Sequence, residues 1–291
     1  MLKDVQNSKD KRGIAIDKVG IKNLHYPISV LDKTKTFQHT VADINMYVDL
    51  PHYFKGTHMS RFLEVLNEHR GEISIVNFPD ILRKIKKVLN AGSASVEMEF
   101  PYFIEKSAPV SGKKSLMEYI CYYSGTIKSG IPDYAKTTKS GKAKKAEKAS
   151  EKVSDFKSDT FNSLNDESVI IIGVKVPINT LCPCSKEISK YGAHNQRGVV
   201  SVSLEFSKLI WFEDIIEGVE SCASSPIYSL LKREDERYLT EHAYENPMFV
   251  EDIARCVAGT LKKNKNIKWF KVEAENFESI HNHNAYAMIE R

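Results

Sequence analysis

Two stretches of the sequence decide the fold: FPDILRKIKKVLNAGSASVEMEF at residues 78–100 and FVEDIARCVAGTLKKNKNIKWFKVEAENF at residues 249–277. Each combines apolar residues at helical spacing, a polar turn and then alternating apolar and polar residues. This pattern predicts a helix followed by a strand. Because it occurs once in each half of the chain, we interpret it as a duplicated module.

Further elements are predicted around both stretches. Helices are predicted over residues 61–70, 79–89 and 211–223, and from the Asn246-Pro247 pair to about residue 263. Strands are predicted at 14–30, 40–50, 94–100, 116–127, 169–178, 198–206, 269–280 and 285–291. Each half therefore has the order ββααββ. Hairpins that flank a helix pair indicate the α+β class, with antiparallel sheets and the helices on one face.

The composition is that of an ordinary globular protein. Hydrophobic residues make up 42% and charged residues 27% of the 291 positions, which excludes collagen-like, mainly disordered and disulfide-scaffold classes. The longest uncharged apolar run, residues 169–174, is far shorter than the ~18 residues of a membrane span. The first 13 residues lack the apolar stretch of a secretory signal, so we expect a cytoplasmic protein without membrane contact.

The net charge of +4 comes from one segment. Residues 128–160 contain nine Lys and five acidic residues, so the rest of the chain is electrically balanced. Residues 128–167 are poor in large apolar side chains, which predicts an insertion or linker between a first module at 14–127 and a second at 168–291. Residues 1–13 are expected to be a flexible N-terminus. A solvated loop is the first interpretation of the insertion, and contact with nucleic acid or a membrane is the alternative.

The five cysteines divide into two groups. Cys182 and Cys184 form a Cys-x-Cys pair in LCPCSKEIS, and His194 follows in YGAHNQRG. Thiolate and imidazole suit zinc, iron or similar ions, and the absence of a Cys-x-x-Cys or His-x-x-x-His pair to complete the cage would leave a coordination position open, as in catalytic sites. A buried loop with unreactive thiols is the alternative. The other three are expected to be inert buried thiols: Cys121, Cys222 and Cys256.

Two further segments carry candidate residues in the second half. FESIHNH places Glu278 and His281 at a strand exit, where the chain must bend for both to reach one site. The charged run KREDER contains Glu236, and Glu251 lies near the start of the next helix. A polar surface turn and solvated helix faces are the alternatives for these segments.

In the first half, KGTHMSRF precedes a predicted helix. Its Gly56, Thr57, His58, Ser60 and Arg61 are typical of an anion pocket, because backbone N–H groups and Arg both favour phosphate. The spacing is not that of a P-loop. Plain capping of the helix N-terminus is the alternative.

Together, KGTHMSRF, LCPCSKEIS, YGAHNQRG, KREDE, FVED and FESIHNH resemble the type IB GTP cyclohydrolase family in its order and spacing. The resemblance covers the chain apart from residues 1–13 and the Lys-rich insertion. It implies tandem tunnelling-fold (T-fold) modules, assembled as a homotetramer with sites at subunit interfaces. It also implies hydrolysis of GTP to 7,8-dihydroneopterin triphosphate and formate, the first step of tetrahydrofolate biosynthesis.

The same resemblance implies a divalent metal (zinc, manganese or iron) and no organic cofactor. Cys182 matches the family's metal-ligand cysteine, and His194, Glu236 and His281 match its companions around the metal. Which histidine binds the metal and which transfers protons is left open.

Substrate contacts are also implied by the resemblance. Glu251 matches the glutamate that grips the guanine edge, and a carboxylate suits this role because it accepts hydrogen bonds from N1–H and the 2-amino group. Glu278 and Cys184 match further active-site positions. Residues 56–61 are implied to reach the triphosphate of a neighbouring subunit's substrate.

Two other hypotheses remain at this point. Another purine- or pterin-handling T-fold enzyme, such as a nitrile reductase with a nucleophilic cysteine, would need no metal, so metal dependence separates it from a cyclohydrolase. A non-catalytic metal-binding or nucleic-acid-binding protein would depend on the Lys-rich loop. Deletion of residues 128–160 would then abolish binding, whereas an enzyme would keep its turnover.

Overall fold

The computed structural model describes residues 5, 6, 8–69, 73–128 and 168–291. The predicted insertion at 128–167 therefore lies outside the described residues except for Lys128, and the predicted N-terminal tail is described only in part.

The described residues form nine strands and six helices. The strands are β1 (Ile16–Asp32), β2 (Thr36–Leu50), β3 (Ser93–Ser107), β4 (Lys114–Lys128), β5 (Ser168–Leu181), β6 (Asn195–Phe206), β7 (Ser225–Pro226), β8 (Ile267–Asn276) and β9 (Ala285–Glu290). The helices are α1 (Ser60–Glu68), α2 (Phe78–Val88), α3 (Pro183–Ile188), α4 (Phe212–Glu220), α5 (Arg233–Glu245) and α6 (Val250–Lys262). None of these helices is long and apolar enough to cross a membrane.

The strands hydrogen-bond in the order β1-β2-β3-β4-β5-β6-β8-β9, and β7 pairs with β5. Strands β5, β6, β8 and β9 pair antiparallel with their neighbours. The predicted α+β class with an antiparallel sheet is therefore confirmed.

The chain divides into two compact units, and both contain parts of β2, β3 and β4. The first unit comprises the described residues of Met1–His39, Ile44–Glu97 and Gly125–Val169. The second comprises Thr40–Asp43, Met98–Ser124 and Ile170–Arg291. The predicted modules at 14–127 and 168–291 stay a prediction.

In the first unit, helices α1 and α2 pack against each other. Apolar residues at helical spacing cause this packing, since Phe62 and Leu66 of α1 and Ile81 and Ile85 of α2 are fully buried. Glycine at position 125 of β4 lets α2 approach closely. A Cβ there would lie 2.5 Å from Phe78 Cε1 and 2.8 Å from Leu82 Cδ1.

In the second unit, strand β6 shows the predicted alternation. Val200, Val202 and Leu204 are fully buried. Ser203 is also buried, although alternation predicts exposure, because the Tyr122 hydroxyl hydrogen-bonds to its Oγ. Helix α6 packs against β8 and β9 and contacts α4, so these two helices cover the apolar face of the second unit.

Helix α6 begins later than predicted. Its first residue is Val250, and Phe249 is the N-cap residue, so the predicted start at Asn246-Pro247 is wrong. Asn246 instead ends α5, and its Nδ2 donates a hydrogen bond to the His242 carbonyl oxygen at 2.7 Å. The predicted inward face of α6 is confirmed, because its five apolar members are buried: Val250, Ile253, Ala254, Val257 and Leu261. The second half also carries α3 and α5 in addition to the predicted helix pair.

The expectation of three unreactive thiols is wrong for two of them. Cys222, which follows α4, and Cys256 of α6 form a disulfide, with their Cα atoms 5.7 Å apart. Packing of α4 against α6 brings these residues within the distance that a disulfide requires. Cys121 is buried and free as expected, and burial raises the pKa of its thiol.

The close approach at Gly125 predicts a stability effect. Gly125→Ala should lower the free energy of unfolding by about 1–3 kcal/mol, because the added methyl group overpacks the contact with Phe78 and Leu82. Urea unfolding measures the change. Gly259→Ala is the matched control, since no atom lies within 4 Å of its Cβ position in α6, and it should stabilise by about 0.5–1 kcal/mol. Equal effects of the two substitutions would contradict the packing argument.

Candidate active site

The candidate site lies at one edge of the sheet in the second unit. Leu181, the last residue of β5, pairs with Asn195, the first residue of β6, and Asn276 at the end of β8 pairs with Gly198. Because neighbouring antiparallel strands run in opposite directions, the ends of β5 and β8 and the start of β6 meet at the same edge. Cys182 directly follows β5, and His194 directly precedes β6. Both residues and the segment after β8 therefore lie at this edge.

Cys182 and His194 are held side by side by backbone hydrogen bonds. The Cys182 N–H donates to the His194 carbonyl oxygen at 3.1 Å. The Ser185 hydroxyl accepts from the His194 N–H at 3.2 Å and donates to the Cys182 carbonyl oxygen at 3.1 Å. Ser185 thus joins both sides of the loop, and sequence reasoning missed it.

The Cys182 side chain is half-buried and lies at the N-terminus of α3. The Ser185 N–H donates to Cys182 Sγ at 3.4 Å. Cys182 is not in a disulfide, so its sulfur is available as a metal ligand or nucleophile. Cys184 is exposed on the same short helix.

The His194 ring is held through its Nδ1 atom. Gln196 Oε1 lies 3.0 Å from Nδ1, and Ser279 Oγ lies 3.4 Å away. The second contact brings the predicted segment after β8 to His194. The chain bends between β8 and β9 as the positions of Glu278 and His281 required.

Glu278 is half-buried in this bend, whereas His281 is exposed. The His281 ring stacks on the His283 ring, with 5.1 Å between the ring centroids. The base of the bend is tied down where the Phe277 N–H donates to the Arg197 carbonyl oxygen at 2.8 Å.

The start of α6 reaches the same edge. The Met248 N–H donates to the Leu181 carbonyl oxygen at 3.1 Å. Glu251 lies three residues later in the first turn of α6, and its side chain is exposed to solvent. It is therefore accessible to a ligand at this edge.

Glu236 lies in the first turn of α5, whose last turn contacts α3. There the Lys186 ammonium lies 4.3 Å from the centre of the Tyr244 ring and donates to the Tyr244 carbonyl oxygen. Glu236 is eight residues before Tyr244, which is about 12 Å along a helix axis. Glu236, whose side chain is exposed, therefore lies at the opposite end of α5 from the contact between Tyr244 and α3.

Asp235 fixes the start of α5. Its fully buried carboxylate accepts hydrogen bonds from Val110 N (2.8 Å), Ser111 N (2.8 Å), Ser111 Oγ (2.6 Å) and Lys232 N (2.8 Å). Burial raises the pKa of Asp235, but these hydrogen bonds outweigh burial, and the pKa lies well below its usual range. Sequence reasoning missed Asp235, because an acidic residue between two exposed acidic residues gives no local signal of burial.

In the described part of the chain, no three His, Cys, Asp or Glu side chains converge to hold a metal ion. The predicted ligand set of Cys182, His194, Glu236 and His281 is thus only partly brought together. Cys182 and His194 are adjacent and supply a thiol and an imidazole, the donor types that suit zinc or iron. The chemistry of this pair fits a metal, and the full set stays a prediction.

The predicted anion segment belongs to the first unit. Thr57 is buried, and Gly56 N donates to the Gln6 carbonyl oxygen at 3.1 Å. Arg61 Nη1 donates to the Val88 carbonyl oxygen at 3.2 Å, which ties α1 to the end of α2. Helix α1 begins at Ser60 after Met59, with no side-chain capping hydrogen bond, so the plain capping interpretation is not observed. His58 is half-buried.

Comparison with known proteins assigns the chain to a family. A family model described as type I GTP cyclohydrolase folE2 matches residues 2–143 and 135–287. The chain belongs to the type I GTP cyclohydrolase FolE2 family. It is 53% identical to GTP cyclohydrolase FolE2 of Geotalea uraniireducens, over 100% of this chain and 93% of that protein. It is 55% identical to the protein of the same name from Syntrophus aciditrophicus, over 99% of both chains.

Solved structures with a similar fold include urate oxidase from Bacillus sp. TB-90. The match has a TM-score of 0.51 and 7% sequence identity, and it covers 95% of this FolE2-family chain and 99% of that chain. A mutant of the same oxidase matches with the same score and coverage. At this identity the likeness shows the fold alone, and it confirms the predicted tunnelling fold.

The buried Asp235 carboxylate predicts a pH-dependent stability. A carboxylate whose pKa is lowered in the folded state stabilises that state above the unfolded pKa of ~3.9, and this contribution is lost as the pH falls toward the folded pKa. Asp235→Asn should therefore lower the melting temperature by about 5 °C or more at pH 7.

The difference in melting temperature between the wild type and Asp235→Asn should shrink below about pH 4. Calorimetry from pH 7 to pH 3 measures it. Glu234→Gln is the control, because Glu234 is an exposed acid in the same helical turn and should change little at any pH. A difference for Asp235→Asn that is independent of pH would contradict the role of the carboxylate charge.

Proposed function

We propose that this protein is a GTP cyclohydrolase that hydrolyses GTP to 7,8-dihydroneopterin triphosphate and formate, the first step of tetrahydrofolate biosynthesis. The observation that carries the proposal is membership of the FolE2 family over both halves of the chain. Relatives that are 50–55% identical bear the name GTP cyclohydrolase FolE2. The narrower assignment to type IB rests on the motifs around Cys182 and His194.

The reaction requires water at C8 of the guanine ring. Addition of water opens the imidazole ring, a second hydration releases formate, and the rearranged ribose closes the pterin ring with loss of one water. A divalent metal (zinc, manganese or iron), when bound, lowers the pKa of its water and so supplies hydroxide near neutral pH. We propose that its ligands come from Cys182, His194, Glu236 and His281.

The residues at the sheet edge would perform the remaining steps. A histidine, either His194 or His281, can protonate the departing ring nitrogen, since imidazole is the side chain that most often acts as a general acid. Glu251 would accept hydrogen bonds from N1–H and the 2-amino group of guanine, and its exposure at the start of α6 supports this role. Glu278 and Cys184 are proposed as further active-site positions.

We further propose that the protein is a cytoplasmic homotetramer with active sites at subunit interfaces. Among the described residues of one chain the set of metal donors is incomplete, which supports a site that another copy completes. The segment with Gly56, Thr57, His58, Ser60 and Arg61 would then contact the triphosphate of a neighbouring subunit's GTP. No organic cofactor is proposed.

The first test is turnover by protein whose assembly has been measured by light scattering. Chelator-stripped protein should form fluorescent pterin and formate from GTP only after manganese or zinc is added. Cys182→Ala should lower turnover roughly 10³-fold or more, because it removes a ligand of the group that activates water. Cys121→Ala is the control, since Cys121 is a buried thiol outside the site, and it should retain turnover.

Two outcomes would contradict this proposal. Full turnover by Cys182→Ala with bound metal would remove Cys182 from the mechanism. A folded tetramer that forms no pterin with any metal would instead favour a metal-independent T-fold enzyme in which Cys182 is a nucleophile.

The role of Glu251 predicts a change in base specificity. Glu251→Ala should weaken GTP binding roughly 100-fold, because a charged acceptor of two hydrogen bonds is lost. Inosine triphosphate lacks the 2-amino group, so the wild type should prefer GTP over it, whereas the variant should lose that preference. Steady-state kinetics with both nucleotides measures this ratio, and metal content should stay near normal. Loss of metal from the variant would mean that Glu251 has a different role.

A further inference from the structure

Two polar side chains interrupt the apolar face of the sheet just behind the candidate site. Thr180 of β5 and Gln196 of β6 are paired across the strands, and their exposed fractions are only 0% and 7%. The next residues along this face are Ile178 of β5 and, beyond Gly198, Val200 of β6, and both aliphatic side chains are fully buried. Buried polar groups are destabilising unless their hydrogen bonds are satisfied, so this pair needs a compensating partner.

The hydrogen bonds between Thr180 and Gln196 indicate which end of the Gln196 side-chain amide faces Thr180. The Thr180 hydroxyl donates to the Gln196 carbonyl oxygen at 3.5 Å, and its oxygen accepts from Gln196 Nε2 at 3.0 Å. The amide nitrogen of Gln196 is therefore directed to Thr180, and Oε1 is the atom that faces His194 Nδ1 at 3.0 Å. An amide oxygen can only accept a hydrogen bond, so Nδ1 must carry the proton.

We propose that Gln196, oriented by Thr180, is a positioning residue that holds the His194 ring with a proton on Nδ1 and the lone pair on Nε2. In neutral imidazole only one ring nitrogen carries a proton. Among the described residues, the hydrogen bonds of the His194 ring all involve Nδ1, so Nε2 is left for a ligand.

This role deepens the proposed function and rests on it. A metal-binding imidazole must present a lone pair on one of its two ring nitrogens, and here that nitrogen is Nε2. Histidines that bind metals almost always donate their other ring N–H to a neighbouring acceptor, which fixes the tautomer and the orientation of the ring. In most such sites the acceptor is a carboxylate, a carbonyl or water, and here a buried amide oxygen takes that place. Metal binding by His194, as proposed above, would therefore use Nε2.

The test compares three side chains at position 196. Gln196→Met keeps the length and loses the hydrogen bond, whereas Gln196→Glu keeps an oxygen acceptor for Nδ1. Long-range ¹H–¹⁵N correlation spectra of metal-free, full-length protein with ¹⁵N-labelled histidine report the tautomer near pH 8. His194→Gln identifies the signal of His194 by its disappearance.

The wild type and Gln196→Glu should show a protonated Nδ1, and Gln196→Met should show a mixture of both tautomers. Zinc affinity, measured by competition with a chelator, should fall about 10–100-fold in Gln196→Met and should be recovered in Gln196→Glu. A wild-type His194 with its proton on Nε2 would overturn the proposal, as would a Met variant that retains both the Nδ1 proton and the wild-type zinc affinity.

A second variant covers the case in which Gln196→Met does not fold. Thr180→Val removes the hydroxyl that orients the amide, so the amide can turn over and both tautomers of His194 should appear. An unchanged tautomer in Thr180→Val would overturn the orienting role of Thr180. The spectra need no GTP turnover, so failure of the cyclohydrolase proposal would be seen separately, as absence of pterin from wild-type protein.

Discussion

The antiparallel register of β5, β6 and β8 is the constraint on which the candidate site depends. It places Leu181 opposite Asn195 and Gly198 opposite Asn276, so Cys182, His194 and the bend after β8 all lie at one edge of the sheet. Side chains alternate along a strand, and a slip of one residue would move Thr180 and Gln196 to the opposite face. The buried aliphatic residues of these strands, which favour a single register, therefore also determine the arrangement of the polar edge.

Two of the candidate residues each lie close in sequence to a buried polar side chain. Gln196 is buried two residues after His194, and Asp235 is buried one residue before Glu236. In both cases the buried side chain forms hydrogen bonds, which offset the loss of hydration and restrict the backbone next to the candidate residue. Such buried neighbours hold the backbone of a candidate residue in place, while the candidate side chain stays accessible to a ligand.

The two halves of the chain share a scaffold and differ in their additions. In the first half α1 and α2 form a simple helix pair, while the second half adds α3 and α5. Cys182 caps α3, and α5 carries Glu236. The additions thus hold candidate residues of the site, whereas the strands and helices that occur in both halves supply the rigid support, as in many folds that carry function on connecting segments.

Local pattern in the sequence determined eight of the nine described strands, four of the six described helices, the buried faces of β6 and α6, and the motifs that place Cys182 and His194 together. These follow from side-chain periodicity and short-range backbone preferences, which any stretch of chain carries by itself. Only the tertiary structure decided the later start of α6, because Met248 bonds to Leu181 and Asn246 ends α5. The same holds for the disulfide of Cys222 with Cys256, the burial of Asp235 under residues 110 and 111, and the orientation of Gln196 toward His194. Each of these depends on the packing of segments distant in sequence or on the geometry of paired strands. The local sequence around a polar residue is the same whether it is exposed or is buried against a hydrogen-bond donor from a distant segment.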